Sequence, residues 1–506
     1  MPATPAATPP AFAYTPARRA FVFAGLILTM VLGALDQSIV STALPTIVSD
    51  LGGLARMSWV VTAFMLTSTI ATPLYGKLSD MFGRRPLLGV SIGVFVLASL
   101  LCGVAQSMWQ LIVFRGLQGV GAGGLMTLSQ TVVGDMVTPS QRGRYQGLFT
   151  GAFAVSSVAG PFLGGVLTSA LSWRWVFWVN LPVGLLALAL VLLNLPAGGA
   201  QGRPRIDYVG AVLLSVATAG FLLLFNAAGT SLAWSSPLTL LLLGGSVAFF
   251  GAFIVQERRA PEPLVSLGLL RIASFSVCVT ATGIMSFAMM GSMVFLPLYY
   301  QLVLGQSPAF SGLMMLPQVG TMMVSSILGG YVASRTQRYA LLLSIGVGIE
   351  FVSLSLLALC ARHGVQPLYF LLSMGCLGVG MGIGMPNATV MIQNAVPGNT
   401  LGIATAMMSF IRSLGGALGV ALSGGVMAYT LQRALHAVAV DMDVGTFLQK
   451  GMAALGGLSP TTHEQVIQAY KGAISASLSV SSSFMFGAFV LVVGLMLHTT
   501  RTRHTA

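Results

Sequence analysis

Four ionisable side chains lie within long apolar stretches of this 506-residue chain, namely Asp36, Arg115, Glu350 and Arg412. An ionised group buried in a membrane costs at least about 2.5 kcal/mol, so each of these residues is a candidate for function. A carboxylate can take up and release a proton, whereas an arginine can pair with a carboxylate or bind an anion. All five histidines lie in loops or at the ends of the apolar stretches. The carboxylates are therefore the candidates for proton transfer.

Asp36 and Arg115 are predicted to lie at the same depth. Asp36 is about eight residues from one end of the first apolar stretch, and Arg115 is about seven residues from the matching end of the fourth. At 1.5 Å per residue, both then lie about 10–12 Å below the same surface. The arginine favours an ionised carboxylate and burial favours the protonated acid, so a change in their balance can drive proton uptake and release. The alternative is an ion pair that only holds two helices together.

Glu350 and Arg412 also have two interpretations each. Glu350 lies about twelve residues into its apolar stretch, and a structural side chain that is partnered or that snorkels is the favoured interpretation there. It remains a candidate for proton coupling beside Asp36 and Arg115. Arg412 is expected either to bind an anion or to connect two parts of the protein.

The elements that hold these residues are predicted to be membrane-spanning helices. Hydrophobic residues make up 55% of the chain and charged residues only 7%, whereas soluble domains carry about 25% charged residues. Stretches of about 20 apolar residues are long enough to cross about 30 Å of hydrocarbon. The sequence therefore predicts an all-α polytopic membrane protein with fourteen spans, at roughly 19–43, 57–77, 86–105, 108–133, 145–170, 173–195, 208–228, 237–256, 273–302, 309–333, 339–360, 366–393, 401–430 and 473–497.

Basic residues in the short loops between spans account for the formal net charge of +13, so we expect no nucleic-acid partner. Cytoplasmic loops of membrane proteins carry an excess of lysine and arginine. A cytoplasmic N-terminus assigns 16 of the 24 basic residues to that side, which predicts that both termini are cytoplasmic. The only Gly-Lys pair that could end a Walker A motif, Gly76-Lys77, is followed by Leu78. ATP hydrolysis is therefore not expected.

The chain contains an internal repeat. A shift of 259 residues aligns Gly116, Gly119, Gly121 and Gly123 with glycines of the second half, and a shift of 254 aligns Gly76 with Gly330. Two parallel copies of one unit are typical of secondary transporters, whose substrate site lies at the interface of the repeats. The predicted divisions are a disordered N-terminal tail (1–18), a six-helix bundle (19–200), two inserted helices with linkers (201–270) and a second six-helix bundle (271–500) that includes an outer loop (431–472).

The loop between spans 2 and 3 carries a dense motif that runs from Gly76 through Asp80, Gly83 and Arg84 to Arg85. Its glycines allow a tight turn, and its acid can accept hydrogen bonds from the arginines or from the first amides of a helix in the other half. The start of span 13 is the expected target. The motif resembles the loop signature of the major facilitator superfamily, which implies a role in gating. The alternative is an incidental ion pair in a basic loop.

Three further motifs extend this resemblance: the span 1 motif is similar to the first-helix signature of the 14-helix drug:proton antiporters, and the span 5 motif resembles the kinked helix shared by exporters. They are the stretch from Leu35-Asp36 to Leu44-Pro45 in span 1, Arg115-Gly-Leu-Gln-Gly119 in span 4, and the glycine-proline motif of span 5. The resemblance implies a major facilitator fold with two pseudo-symmetric six-helix bundles plus two inserted helices. It also implies a kinked fifth helix that takes part in conformational change, with Gly160, Pro161, Gly164 and Gly165 as the candidate residues.

The resemblance implies a secondary exporter that exchanges amphipathic, cationic drugs or toxic compounds for protons. It needs no cofactor beyond a proton gradient, and we expect a monomer in the bacterial cytoplasmic (inner) membrane. The predicted substrate cavity includes Asp36, Gln37, Gln118 and Arg412. One alternative is export of a specific lipid, peptide or metabolite on the same fold. A membrane-embedded transferase is a further alternative, but it would need clustered acids to hold a metal, which the spans lack.

Overall fold

The computed structural model describes residues 15–52, 56–196, 207–227, 236–306, 308–437 and 460–504, and these contain helices and no strand. Thirteen of the helices are long and apolar enough to cross a membrane, and another carries a shorter apolar stretch. The predicted all-α class is confirmed. In chain order the helices are α1 Pro16–Leu51, α2 Met57–Phe82, α3 Arg84–Gly103, α4 Met108–Met136, α5 Arg142–Ala170, α6 Asn180–Asn194, α7 Tyr208–Ala227, α8 Pro237–Arg259, α9 Ala273–Leu298, α10 Leu316–Thr336, α11 Tyr339–His363, α12 Pro367–Asn394, α13 Leu401–Ala437 and α14 Pro460–His504.

The first six helices and the last six pack in the same pattern. In the first half α4 packs against α2 and α3, while α1 packs against α5 and α6. In the second half α12 packs against α10 and α11, while α9 packs against α13 and α14. Helices α7 and α8 pack against each other, and α7 also contacts α2 and α13. The predicted architecture of two six-helix bundles with two inserted helices is therefore confirmed.

The two halves also share equivalent hydrogen bonds. The Thr67 hydroxyl donates to the Gly116 carbonyl at 2.7 Å, and the Thr321 hydroxyl donates to the Gly375 carbonyl at 2.7 Å. Glycine lets the two helices of each pair approach closely, because a Cβ at Gly119 or at its counterpart would overlap the facing backbone. The shared glycines are thus packing residues of the scaffold.

Helix pairs α2–α13 and α5–α10 join the two halves. In the first pair a Cβ on Gly76 would lie 2.8 Å from the Gly402 carbonyl, and in the second a Cβ on Gly143 would lie 3.0 Å from the Gly330 carbonyl. These two contacts are counterparts under the repeat. Both lie towards the end of the bundle that carries Arg84, Arg142 and Arg338, which we call the basic end.

Several predicted boundaries need correction. Helix α1 begins at Pro16, inside the predicted tail 1–18, and it continues through Pro45 to Leu51; residues 1–14 lie outside the described part. The described parts of the predicted outer loop 431–472 are helical, since α13 extends to Ala437 and α14 begins at Pro460. Residues 438–459 of that loop, and residues 201–206 of the predicted inserted segment, lie outside the described residues.

Candidate functional site

Asp36 and Arg115 form a buried ion pair between α1 and α4. The Arg115 Nη1 atom lies 2.6 Å from Asp36 Oδ2, and the two side chains are at most 1% exposed. Arg115 also donates to the Val60 carbonyl at 3.3 Å, and its guanidinium stacks 4.0 Å from the centroid of the Phe64 ring. The predicted contact is therefore present. Its geometry allows a carboxylate to be held as an anion in a non-aqueous environment.

Two amide side chains complete the coordination of Asp36. Gln118 Nε2 and Asn180 Nδ2 donate to Asp36 Oδ1 at 2.8 and 2.7 Å. Both amides also donate to the Ser99 hydroxyl, at 2.7 and 2.9 Å. We call Asp36, Ser99, Arg115, Gln118 and Asn180 the Asp36 network. Each of its members is buried.

Ser99 and Asn180 were not among the residues predicted from the sequence. Asn180 begins α6 after the short helix Trp175–Trp178, so it enters the bundle from the same end as the Asp36–Arg115 pair. An amide at the start of the apolar stretch Leu181–Leu193 was the available signal, because a buried amide needs partners. The sequence could not say which partner it would find.

A cavity of about 820 Å3 lies between the two halves. Methionine and phenylalanine make up half of the apolar residues in its lining, and α7 contributes Leu222. The apolar side chains in the lining include Met30, Phe64, Met65, Met126, Phe153, Met289, Met290, Phe295, Met322, Met385 and Met427. Gln37 and Arg412 line the cavity, as predicted.

The structure corrects the prediction that Asp36 and Gln118 also line this cavity. Both side chains are fully buried in the Asp36 network within the first half. Successive residues of a helix point about 100° apart, so Gln37 can face the cavity while Asp36 faces α4. Phe64 lines the cavity and stacks against Arg115, which leaves one aromatic ring between the network and the cavity.

Arg412 lies on α13 and reaches across to the first half. Its Nη2 atom lies 2.7 Å from the Met126 sulfur on α4. Among the described residues no carboxylate comes within ion-pair distance of Arg412. A thioether is a weak acceptor, and this contact is the one hydrogen bond of the Arg412 guanidinium found among the described residues.

Asp80 joins the two halves at the basic end. Its carboxylate oxygens accept from the backbone N–H groups of Gly402 and Ile403 at 3.0 and 2.8 Å, which caps the start of α13. Asp80 also pairs with Arg84, and Arg84 in turn pairs with Asp135 at 2.8 Å. The contact predicted for Asp80 is thus present.

The loop motif also contains two glycines, Gly76 and Gly83, and a second arginine, Arg85. Gly76 lies at the close approach of α2 and α13, and Gly83 ends α2 at a φ of 94°, which favours glycine. Arg85 is half-buried at the start of α3, and no hydrogen bond or ion pair joins it to Asp80 in the described part of the chain. The structure therefore brings Arg84, and not Arg85, to the acid.

Two of the three glycines in the glycine-proline motif of α5 lie against α1. A Cβ on Gly160 would overlap Ser38, and a Cβ on Gly164 would lie 2.8 Å from the Ile39 carbonyl. Pro161 is inside the continuous helix Arg142–Ala170. Gly165 faces open space, with no atom within 4 Å of a Cβ built on it. The structure thus assigns close packing to the first two glycines and none to Gly165.

Glu350 is buried in α11 against the glycines of α12. Both of its carboxylate oxygens lack a hydrogen-bond partner among the described residues. A Cβ on Gly384 would lie 3.4 Å from one of these oxygens and closer still to Met285. Glu350 therefore lies behind the cavity wall of the second half, and the partnered role expected for it is not observed.

Two pseudo-symmetric six-helix halves around a central cavity are the architecture of secondary transporters. The sequence model of the Major Facilitator Superfamily matches residues 26–420. The chain belongs to this superfamily, whose members are transporters. This assignment excludes the transferase alternative.

Similar proteins from bacteria and fungi are described as transporters. The chain is 36% identical over 414 residues to the multidrug transporter protein MdtP of Bacillus subtilis, which covers 81% of the chain and 75% of that protein. It is 34% identical over 483 residues to an uncharacterised MFS-type transporter of Mycobacterium tuberculosis, covering 96% of the chain and 69% of that protein. It is 33% identical over 502 residues to the efflux pump FUS6 of Gibberella fujikuroi, covering 94% and 88%.

A solved structure shares the fold. The human organic anion transporter MFSD10 matches 94% of this chain and 100% of its own chain, with a TM-score of 0.63. The sequence identity is 15%, so this likeness concerns the fold alone.

Proposed function

We propose that the protein exports amphipathic small molecules from the cytoplasm of a bacterium in exchange for protons. The observation that carries the proposal is the Asp36 network, a buried carboxylate and arginine separated from a large apolar cavity by the Phe64 ring. Ionisable groups at this depth are rare in membrane proteins and mark ion and proton pathways. The efflux proteins among the similar sequences support the direction of transport.

The structure represents the outward-facing side of the cycle under this proposal. The excess of basic residues assigns the basic end to the cytoplasm, which also puts both termini there. Contacts between the halves close this end, including the Asp80 cap on α13 and the hydrogen bonds of Arg142 to the Gln393 carbonyl and the Asn394 side chain. The cavity is formed within one chain, which supports a monomer as the working unit.

Proton exchange then depends on the side of the membrane from which water can reach the Asp36 network. In the outward-facing state a water that reaches the pair past Phe64 delivers a proton to Asp36, and the neutral acid no longer holds Arg115. Weakening of this pair favours release of the substrate and rearrangement of α1 against α4. In the inward-facing state Asp36 loses its proton to the cytoplasm and the ion pair forms again, so that each cycle moves one proton inward.

Glu350 is the second candidate for proton coupling. Its unpartnered carboxylate would be costly to keep ionised in this position, which suits either a permanently neutral acid or a site that titrates only when the second half rearranges. Asp36 is the stronger candidate, because its partners include both a charged side chain and neutral side chains, which can accompany the ionised and the protonated carboxyl group.

Transport by the purified protein tests the proposal. Proteoliposomes with an acidic lumen and a luminal pH dye are mixed with a permanently charged pyrene probe, either pyrenebutanesulfonate or pyrenebutyltrimethylammonium. Antiport predicts that at least one probe raises the luminal pH, whereas protein-free liposomes show no change. Probe uptake without proton release would contradict proton coupling.

A further inference from the structure

The charge of the cavity is positive in the described part of the chain. Among the described residues that line it, Arg412 is the only charged one, and they include no aspartate or glutamate. Asp36 accepts from three donors inside the first half and does not line the cavity. The cavity therefore presents an electropositive point within an apolar wall.

Arg412 has the surroundings of an anion-binding group. Ser409 is three residues away on the same face of α13 and lines the cavity; its hydroxyl oxygen is buried and has no hydrogen-bond partner in the described part of the chain. Ser413 also lines the cavity, and its hydroxyl lies 2.7 Å from that of Thr69 on α2. Guanidinium and hydroxyl donors together match the planar oxygens of a carboxylate or the three oxygens of a sulfonate.

We propose that Arg412 and Ser409 bind the acidic group of a lipophilic anion, while the methionine-rich wall takes up its apolar body. This inference rests on the proposed export function and replaces the cationic substrate expected from sequence with an anionic one. Flexible methionines allow apolar bodies of different shapes to fit. The anionic group, in contrast, has a fixed site on α13.

The proposed charge also suits proton exchange. One anion that leaves the cell and one proton that enters it each move positive charge inward. A membrane potential that is negative inside therefore drives both movements, in addition to the pH gradient. A monovalent cation exchanged for one proton would gain nothing from that potential.

Equilibrium binding of matched probes tests the assignment, with no gradient present. The purified protein in phosphatidylcholine nanodiscs is titrated with pyrenebutanesulfonate, neutral pyrenebutanol and pyrenebutyltrimethylammonium, and probe anisotropy is measured. The wild type is expected to bind the sulfonate about tenfold or more tightly than the ammonium probe. Arg412→Gln should lose this preference and keep its affinity for pyrenebutanol, while Arg412→Lys should retain part of it. Arg433→Gln removes an exposed arginine from the same helix and should bind all three probes as the wild type does.

Three results would overturn the proposal. They are a preference of the wild type for the ammonium probe, an unchanged preference in Arg412→Gln, and loss of all three probes by Arg412→Gln, which would make the arginine a brace between the halves. Displacement of the sulfonate by added phosphatidylglycerol would assign the same donors to a lipid headgroup instead. Because binding is measured without a gradient, failure here leaves proton-coupled export standing, and failure of proton coupling leaves this binding preference standing.

Discussion

The Asp36–Arg115 pair illustrates what sequence reasoning can and cannot decide for single residues. Depth follows from counting residues along a helix, and it correctly placed the carboxylate beside the arginine. The direction in which each side chain points depends on how the helices rotate against their neighbours. This is why Asp36 and Gln118 were expected in the cavity wall and instead lie behind it, and why Asn180 was missed.

Removal of one member of the pair should destabilise the protein more than removal of both charges. Arg115→Gln leaves Asp36 with two amide donors and no counter-charge, which is expected to cost about 3–5 kcal/mol. The double variant Asp36→Asn with Arg115→Gln should recover much of this loss, because no buried charge remains. Thermal unfolding of the purified protein in detergent measures both effects. Additive losses in the double variant would show that the two residues do not act as a pair.

Helix existence is easier to predict than helix ends. The first predicted span ends at 43, just before Pro45, but this proline lies inside the continuous helix α1. Pro73, Pro161 and Pro386 lie inside predicted spans and also inside continuous helices. Neighbouring helices and hydroxyl side chains can satisfy the backbone carbonyls that proline leaves free. Helix α1 consequently extends eight residues beyond the predicted end at 43, and Asp50 near its end pairs with Arg174 at 3.0 Å.

The cap that Asp80 places on α13 predicts a specific conformational effect. Asp80→Asn removes the pairing with Arg84 and replaces one acceptor oxygen by a donor that faces a backbone N–H group. We expect the protein to remain folded, the population open at the basic end to rise by about tenfold or more, and transport to slow. Spin labels on the exposed residues Ser140 and Thr336 would report this opening as a longer distance.

Asp50→Asn is the matched control for that experiment, because it removes a carboxylate that pairs within one half, with Trp173 and Arg174. Its label distances and transport rate should match those of the wild type. Wild-type distances and rates in Asp80→Asn would rule out a gating role for the cap.

Adjacent glycines of α5 offer a second test at the level of helix packing. Gly164→Ala places a Cβ 2.8 Å from the Ile39 carbonyl on α1 and should lower both the unfolding midpoint and the transport rate. Gly165→Ala meets no atom within 4 Å, so its stability should change by no more than about 1 kcal/mol, in the favourable direction. Equal effects of the two substitutions on unfolding and transport would contradict the packing seen between α1 and α5.

At the scale of the whole molecule, the repeat was the most informative property of the sequence. Its glycines predicted two equivalent halves, and the same helix pairs pack in each. The two contacts that join the halves, at Gly76 with Gly402 and at Gly143 with Gly330, are also related by the repeat. Two equivalent contacts therefore hold the halves together at the basic end in this conformation.

The candidate functional residues differ between the two halves. The Asp36 network lies in the first half only, whereas Arg412 and the unpartnered Glu350 lie in the second. Comparison of the two copies indicated Asp36, Arg115 and Arg412, because Ala288, Met374 and Phe153 stand at the aligned positions. It could not predict the cavity between them, since its walls come from helices of both halves and from α7.

Uphill transport by Asp36→Asn tests the central claim most directly. Asparagine keeps the size of the side chain but cannot exchange a proton, so the variant should still equilibrate the pyrene probe across proteoliposomes of equal pH while failing to concentrate it into an acidic lumen. Wild-type protein should concentrate the probe and release luminal protons in the same assay. If Asp36→Asn concentrated the probe as the wild type does, Asp36 would not be the coupling carboxylate, and Glu350 would take its place as the leading candidate.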